Sequence, residues 1–351
     1  MVKRFAFAVP GDLATPTGGY AYDRRMIAEL PALGWQADVI GLGPGFPRAG
    51  DERKAAAEAR LLEVSPGMPI VVDGLAFGVL PEAAEKVQAR SPLIALVHHP
   101  LAFETGVSPA DAEKLLESER RALAAARHVI VTSPSTAQLL ADSFGVPAER
   151  ITVAPPGTDR PAAPAPGSRD GIVRLVSVGA IVPRKGFDVL IAALGTLTDL
   201  PWRLSIAGDR DRDKPEAARI DAEIARHGLG GRVELLGALP EDRIAALYHG
   251  ADLFVLASRY EGYGMAFAEA IAHGLPVIGT TAGAIPDTVP AEAGVLVEPN
   301  EVKPLARALR MLIGNPDERR WFANGAREVA QRLPTWRDSA RLFAQAIEGA
   351  V

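Results

Sequence analysis

The 351-residue chain contains no cysteine, which excludes disulfides, thiolate metal sites and a cysteine nucleophile. It has no run of 18 apolar residues, so no segment is expected to span a membrane. Positive charge is not in excess. The net charge of −5 divides as −3 over residues 1–167 and −2 over 168–351, so no nucleic-acid partner is expected and neither half is a polybasic membrane surface. A local patch could still make peripheral membrane contact. Lysine is scarce, 7 against 31 arginines, which gives weight to a lysine that stands in a motif. No short-period repeat is present. The basic-then-apolar opening, residues 1–10, is too short for a signal peptide and reads as a first buried strand. A cytoplasmic location is the expectation.

What is present is a globular composition, with 48% apolar and 23% charged residues, and a length that suggests two domains. Short apolar runs alternate with helical patterns. Strands are expected over residues 5–9, 37–40, 70–72, 93–97, 128–131 and 151–154. After a proline- and glycine-rich stretch, 155–167, they resume over 174–178, 203–207, 232–236, 253–256, 276–279 and 294–297. Fully apolar strands separated by helices mean parallel sheets covered on both faces. The fold class is therefore α/β, with two Rossmann-like, doubly wound domains, 1–167 and 168–334. In such sheets ligands bind beyond the carboxyl ends of the strands, and a cleft between two domains is the expected site.

The most informative motif is a pair of glutamates eight apart, Glu261 and Glu269, in the sequence Glu-Gly-Tyr-Gly-Met-Ala-Phe-Ala-Glu. It follows an apolar strand, so Glu261 falls in a loop at a helix mouth and Glu269 just over a turn into the helix. Five helical steps from Gly264 to Glu269 span about 7.5 Å, close to the reach of a diphosphate. Carboxylates so placed could hold hydroxyls on two sugars joined by one.

Other segments carry chemistry in the same βα context. Gly18 and Gly19 open a helix after the first strand, where free N–H groups attract anions. The dinucleotide fingerprint Gly-x-Gly-x-x-Gly is absent, which argues against a nicotinamide dehydrogenase. Arg184 and Lys185, in 183–186, could neutralise a diphosphate, the arginine as a fork and the lysine as a point charge. His98 and His99 cap the fourth strand, where one of them can hydrogen-bond a sugar or move a proton. Adjacent strand residues face opposite ways, so the pair is not expected to bind one metal ion. The alternating acids and arginines of 208–213 read as a solvated loop, with Arg210 as a candidate nucleotide contact. Residues 281–287 form a further loop whose backbone could face the same ligand.

Taken in order, these segments resemble the family-4 glycosyltransferases, retaining enzymes with the GT-B fold, and the resemblance runs over nearly the whole chain. It implies that Glu269 holds the ribose, that Glu261 lies beside the donor sugar, and that backbone N–H groups near Tyr263, Gly264 and Met265 contact sugar hydroxyls. Lys185 would bind the phosphates, and Gly18 and Gly19 would approach the diphosphate. The family histidine, which contacts the donor sugar near the reacting carbon, matches His99 best and His98 second. A final helix, about 335–351, would pack back on the first domain. One departure matters: the family usually has Gly-Arg where Gly179-Ala180 stands, and that arginine binds the leaving phosphate. Arg184 is the obvious replacement.

The expected reaction is transfer of a sugar from a nucleotide-diphosphate sugar to an acceptor hydroxyl with retention, without metal and without a further cofactor. His99, Arg184, Lys185 and Glu261 would be the catalytic group. The acceptor is a glycan, lipid or small molecule, contacted by the first domain near residues 43–67. Competing readings are a GT-B epimerase or phosphorylase, and a non-catalytic sugar-nucleotide-binding protein.

Overall fold

The computed structural model describes residues 2–168 and 170–351. It resolves into two compact units, Met1–Gly157 with Pro334–Val351, and Thr158–Leu333. The first division thus falls ten residues before the point that proline content suggested. The stretch 158–167 lies with the second unit because it is tied there: the Ala165 N–H donates to the His273 carbonyl at 2.8 Å, Arg160 donates to the Gln331 carbonyl at 2.9 Å, and Ala165 is buried in that unit's core.

The first unit carries a parallel six-stranded sheet: β1 (Lys3–Val9), β2 (Trp35–Gly41), β3 (Ile70–Asp73), β4 (Leu93–Val97), β5 (His128–Val131) and β6 (Ile151–Val153). Its order is β2-β1-β3-β4-β5-β6, so the winding reverses between β1 and β3. The apolar runs of β3 and β4 are buried along their whole length, as strands sheltered on both faces require. The last helix, Trp336–Ala350, belongs to this unit. It starts at a capping box between Thr335 and Asp338 and sets Phe343 against Phe5 and Phe7, with ring centroids 6.3 and 6.1 Å apart.

The second unit repeats the plan with β7 (Val173–Val178), β8 (Trp202–Ala207), β9 (Val233–Gly237), β10 (Leu253–Val255), β11 (Val277–Thr280) and β12 (Gly294–Val297). All pairings are parallel, and the order is β12-β11-β10-β7-β8-β9. Here the winding reverses between β7 and β10, the point beyond whose carboxyl strand ends such sheets bind their ligands. No helix among the described residues is long and apolar enough to cross a membrane.

Candidate functional site

The loops leaving β7 and β10 carry the glutamate pair and the Arg-Lys pair. After β7 the chain makes a short 3-10 turn, Pro183–Lys185, closed by Gly186 in the left-handed region at φ 65°. A Cβ at Gly186 would lie 2.0 Å from the Ala257 carbonyl oxygen, so only glycine lets the turn press on the exit of β10. The contact is locked by the Arg259 N–H, which donates to the Arg184 carbonyl at 2.7 Å.

This close approach delivers both cations to Glu261. Lys185 Nζ donates to Glu261 Oε1 at 2.6 Å, and Arg184 Nη1 donates to Glu261 Oε2 at 3.0 Å and to the Tyr260 carbonyl at 2.8 Å. Ser258 Oγ donates to Glu261 Oε1 at 2.6 Å. The Glu261 backbone is fixed as well: its carbonyl accepts the Ala284 N–H at 2.9 Å, and a Cβ at Gly283 would meet that oxygen at 2.4 Å. Burial pushes the Glu261 carboxyl up, but the charges of Lys185 and Arg184 outweigh it and hold the group at about 2. The carboxylate is therefore ionised and clamped.

Glu269 lies in the helix Met265–Ala272, which begins at Gly264 without a side-chain cap. The Phe267 N–H donates back to the Gly264 carbonyl at 2.9 Å, and no cap side chain serves the N–H groups that open the helix. Tyr248 Oη donates to Glu269 Oε2 at 3.0 Å. Burial raises the Glu269 carboxyl to about 7, the Tyr248 hydroxyl lowers it, and Glu241 and Asp159 add to the rise. Tyr263 and Gly264 are buried, and Met265 is half-buried at the helix start.

Arg210 is paired with Asp221 at 2.5 Å. Two loop residues later, Arg212 is close enough to Lys185 for their charges to repel. Ser258, Tyr248 and Arg212 were not singled out from the sequence. Only Arg212 carried a signal, as the other arginine of the same loop.

In the first unit, Thr17 caps the helix Gly18–Glu29 by accepting the Tyr20 N–H at 3.2 Å. His98 lies against this helix mouth: a Cβ on Gly19 would come within 3.2 Å of the His98 ring. His98 Nε2 is 3.2 Å from Asp23 Oδ1. His99 turns away to Glu104, with Nε2 3.0 Å from Oε2. The histidine beside the glycine pair is thus His98, not the better-matched His99. Asp23 is buried on a helix, and no sequence signal marked it.

Two family models match the sequence, one described as Glycosyl transferases group 1, over residues 163–329, and one as Glycosyltransferase Family 4, over residues 21–160. Between them the two models span most of the chain, which is thus similar to the group 1 glycosyltransferases of the family-4 type. It is 28% identical over 277 residues to the MMP alpha-(1->4)-mannosyltransferase of Mycolicibacterium hassiacum, covering 74% of this chain and 66% of that one. It is 32% identical to the D-inositol 3-phosphate glycosyltransferase of Nocardia farcinica, over 60% of this chain and 50% of the relative. The matched stretches therefore span less than two thirds of these relatives. Among solved structures, sucrose-phosphate synthase from Thermosynechococcus elongatus superposes with a TM-score of 0.80 at 22% identity, covering 99% of each chain. Anabaena Alr3699/HepE in complex with UDP-glucose gives 0.78 at 19% identity, covering 98% of this chain and 99% of that one. The fold is GT-B.

Proposed function

We propose that the chain transfers a sugar from a nucleotide-diphosphate sugar to an acceptor hydroxyl with retention of configuration and without a metal ion. The observation that carries this reading is the meeting of Arg184, Lys185 and Glu261 at the β7–β10 switch point, beside the uncapped helix that bears Glu269. The diphosphate lies by the cations and the helix N-terminus, with Glu269 on the ribose and Glu261 beside the sugar. The charge that builds on the leaving phosphate is stabilised by groups fixed before the reaction begins, which is where such electrostatics are most effective. Retention follows if the acceptor attacks from the face the phosphate leaves, with that phosphate taking the acceptor's proton. Sugar nucleotides are the donor class here, and the acceptor is a glycan, lipid or small molecule.

The test is product formation from a panel of nucleotide sugars and acceptors, with EDTA present and the anomeric configuration read by NMR. Transfer with retention in EDTA is expected. A strict requirement for added metal, or an inverted product, would overturn the mechanism. Ring-proton exchange without an acceptor would favour an epimerase instead.

Glu269 provides a pH signature. A carboxyl held at about 7 must lose its proton before it can accept two ribose hydroxyls. Donor affinity is therefore expected to rise about tenfold between pH 6 and pH 8, since each unit below the pKa costs about a factor of ten in the ionised form. The diphosphate diester has no titration in this range. Calorimetric binding of the donor across that range checks this, and a Glu269→Gln variant should give a flat, weak profile. An equally steep profile in the variant would assign the proton elsewhere.

A further inference from the structure

The first sheet has its own switch point, between β1 and β3, and three ionisable side chains converge there. Asp23 comes from the helix that follows β1, Asp73 ends β3, and His98 is the first residue after β4. Asp23 and Asp73 are 0% and 1% exposed. His98 Nε2 lies 3.2 Å from Asp23 Oδ1 and 3.6 Å from Asp73 Oδ2. Asp73 Oδ1 accepts the Leu75 N–H at 2.8 Å. Among the described residues, Asp23 Oδ2 and Asp73 Oδ2 are buried without a hydrogen-bond partner.

Charge decides how this cluster can exist. Two buried carboxylates and a neutral imidazole would leave two uncompensated negative charges, and each buried ion without a partner costs several kcal/mol. An imidazolium removes one. A single proton on the carboxyl pair removes the other and supplies the hydrogen bond that the bare oxygens lack. The two carboxyl groups interact directly, and burial raises that of Asp23 to about 7. Burial pushes the His98 ring down, but its hydrogen bond to Asp23 and the nearby Asp73 carboxylate outweigh this and raise it to about 10. Two uncharged groups also face the cluster: the Tyr22 ring stands edge-on at 5.3 Å, its hydroxyl donating to the Ala154 carbonyl at 3.0 Å, and Thr132 Oγ1 donates to the His98 carbonyl at 3.3 Å.

We propose that Asp23 and Asp73 are positioning residues that share one proton and keep His98 as a permanent imidazolium beside Gly19. This rests on the transferase reading above for its purpose, though not for its test. An imidazolium with Nε2–H committed to Asp23 has no lone pair left, so His98 cannot act as the base for an acceptor hydroxyl. Its part is that of a fixed cation and Nδ1–H donor for a substrate oxygen. The class of group it suits is an oxygen that is negative or becomes so during transfer.

The experiment is an NMR titration of the His98 ring Cε1–Hε1 signal, assigned with His98→Gln, in the wild type and in Asp73→Asn. The asparagine keeps the oxygen that accepts from Leu75, and Asp23→Asn serves as a second variant. In the wild type the ring is expected to stay protonated from pH 5 to pH 9. In the variants its pKa should fall by at least two units. The kcat/KM profile should then gain a descending limb as the ring loses its proton, with KM for the donor little changed. Asp73→Glu should restore part of the wild-type profile. Ordinary titration of His98 between pH 6 and 7.5 in the wild type, or an unchanged pKa in both asparagine variants, overturns the proposal. So does a stoichiometric divalent ion in the purified protein that is lost in Asp73→Asn, since a metal would then occupy the place given to the proton. The titration needs no substrate, so a protonated His98 in a protein that transfers no sugar would defeat the transferase reading alone.

Discussion

Arg184→Ala is expected to lower kcat by about two or more orders of magnitude, the cost of removing one preorganised electrostatic donor at a developing charge. Three observations set this size. Ala180 cannot supply the charge expected of the position after Gly179. Arg184 is pinned through Nη1 to both the Tyr260 carbonyl and Glu261, so its guanidinium is placed before substrate arrives. Its side chain is 24% exposed, which shields it from full solvent screening. Arg184→Lys is expected to rescue little, because the compact, strongly hydrated ammonium on a flexible stem does not hold the place of the planar guanidinium. Lys185→Ala should instead show mainly as weakened donor binding. Steady-state kinetics with the donor varied, alongside circular dichroism to confirm folding, separates the two. A loss of less than tenfold in Arg184→Ala would remove that residue from the reaction and leave the Ala180 gap without an answer.

Glu261→Ala is expected to destabilise the second unit by about 3 kcal/mol or more, because breaking a buried pair strands the charge on the other side. Here two cations would be stranded, since Lys185 and Arg184 both face the lost carboxylate. The pH dependence gives an independent measure. Folding lowers the carboxyl from its ordinary 4.5 to about 2, so its stabilisation is fully present above pH 4.5. It disappears as pH falls from there towards 2. Each unit of that gap is worth about 1.4 kcal/mol, which agrees with the loss expected from deletion. Urea unfolding of the wild type and the variant at pH 3 and pH 7 checks both statements. The variant should also regain stability when inorganic diphosphate is added, since that anion can take the place of the carboxylate. Equal stability of the two proteins at pH 7 would show that Glu261 does not compensate the cations.

The strands were legible because each is a short apolar run bounded by turn residues. All twelve appear within a few residues of the expected positions, and their parallel pairing follows from the intervening helices. The helix after Gly264 was equally clear, since the glycine before it and Gly274 after it punctuate the pattern. The proline-rich stretch was legible as a connector but not as a boundary. Its allegiance is set by the bond from Ala165 to His273, a residue more than a hundred positions away, and no local pattern encodes such a contact.

By itself, the sequence determined the α/β class, the two parallel sheets and the candidate residues at the carboxyl ends of their strands. Hydrophobic periodicity and glycine punctuation are local properties that a chain displays without folding. Only the tertiary structure decided how those residues pair. It showed that Glu261 is clamped by Arg184 and Lys185, that Glu269 carries a raised pKa beneath Tyr248, and that Arg210 is turned to Asp221. It also chose His98 over His99 at the glycine pair and gave it two buried acids. Side-chain partnership depends on strand order and on the close approach of distant loops, and the order of strands in a sheet is written in no single segment of the chain.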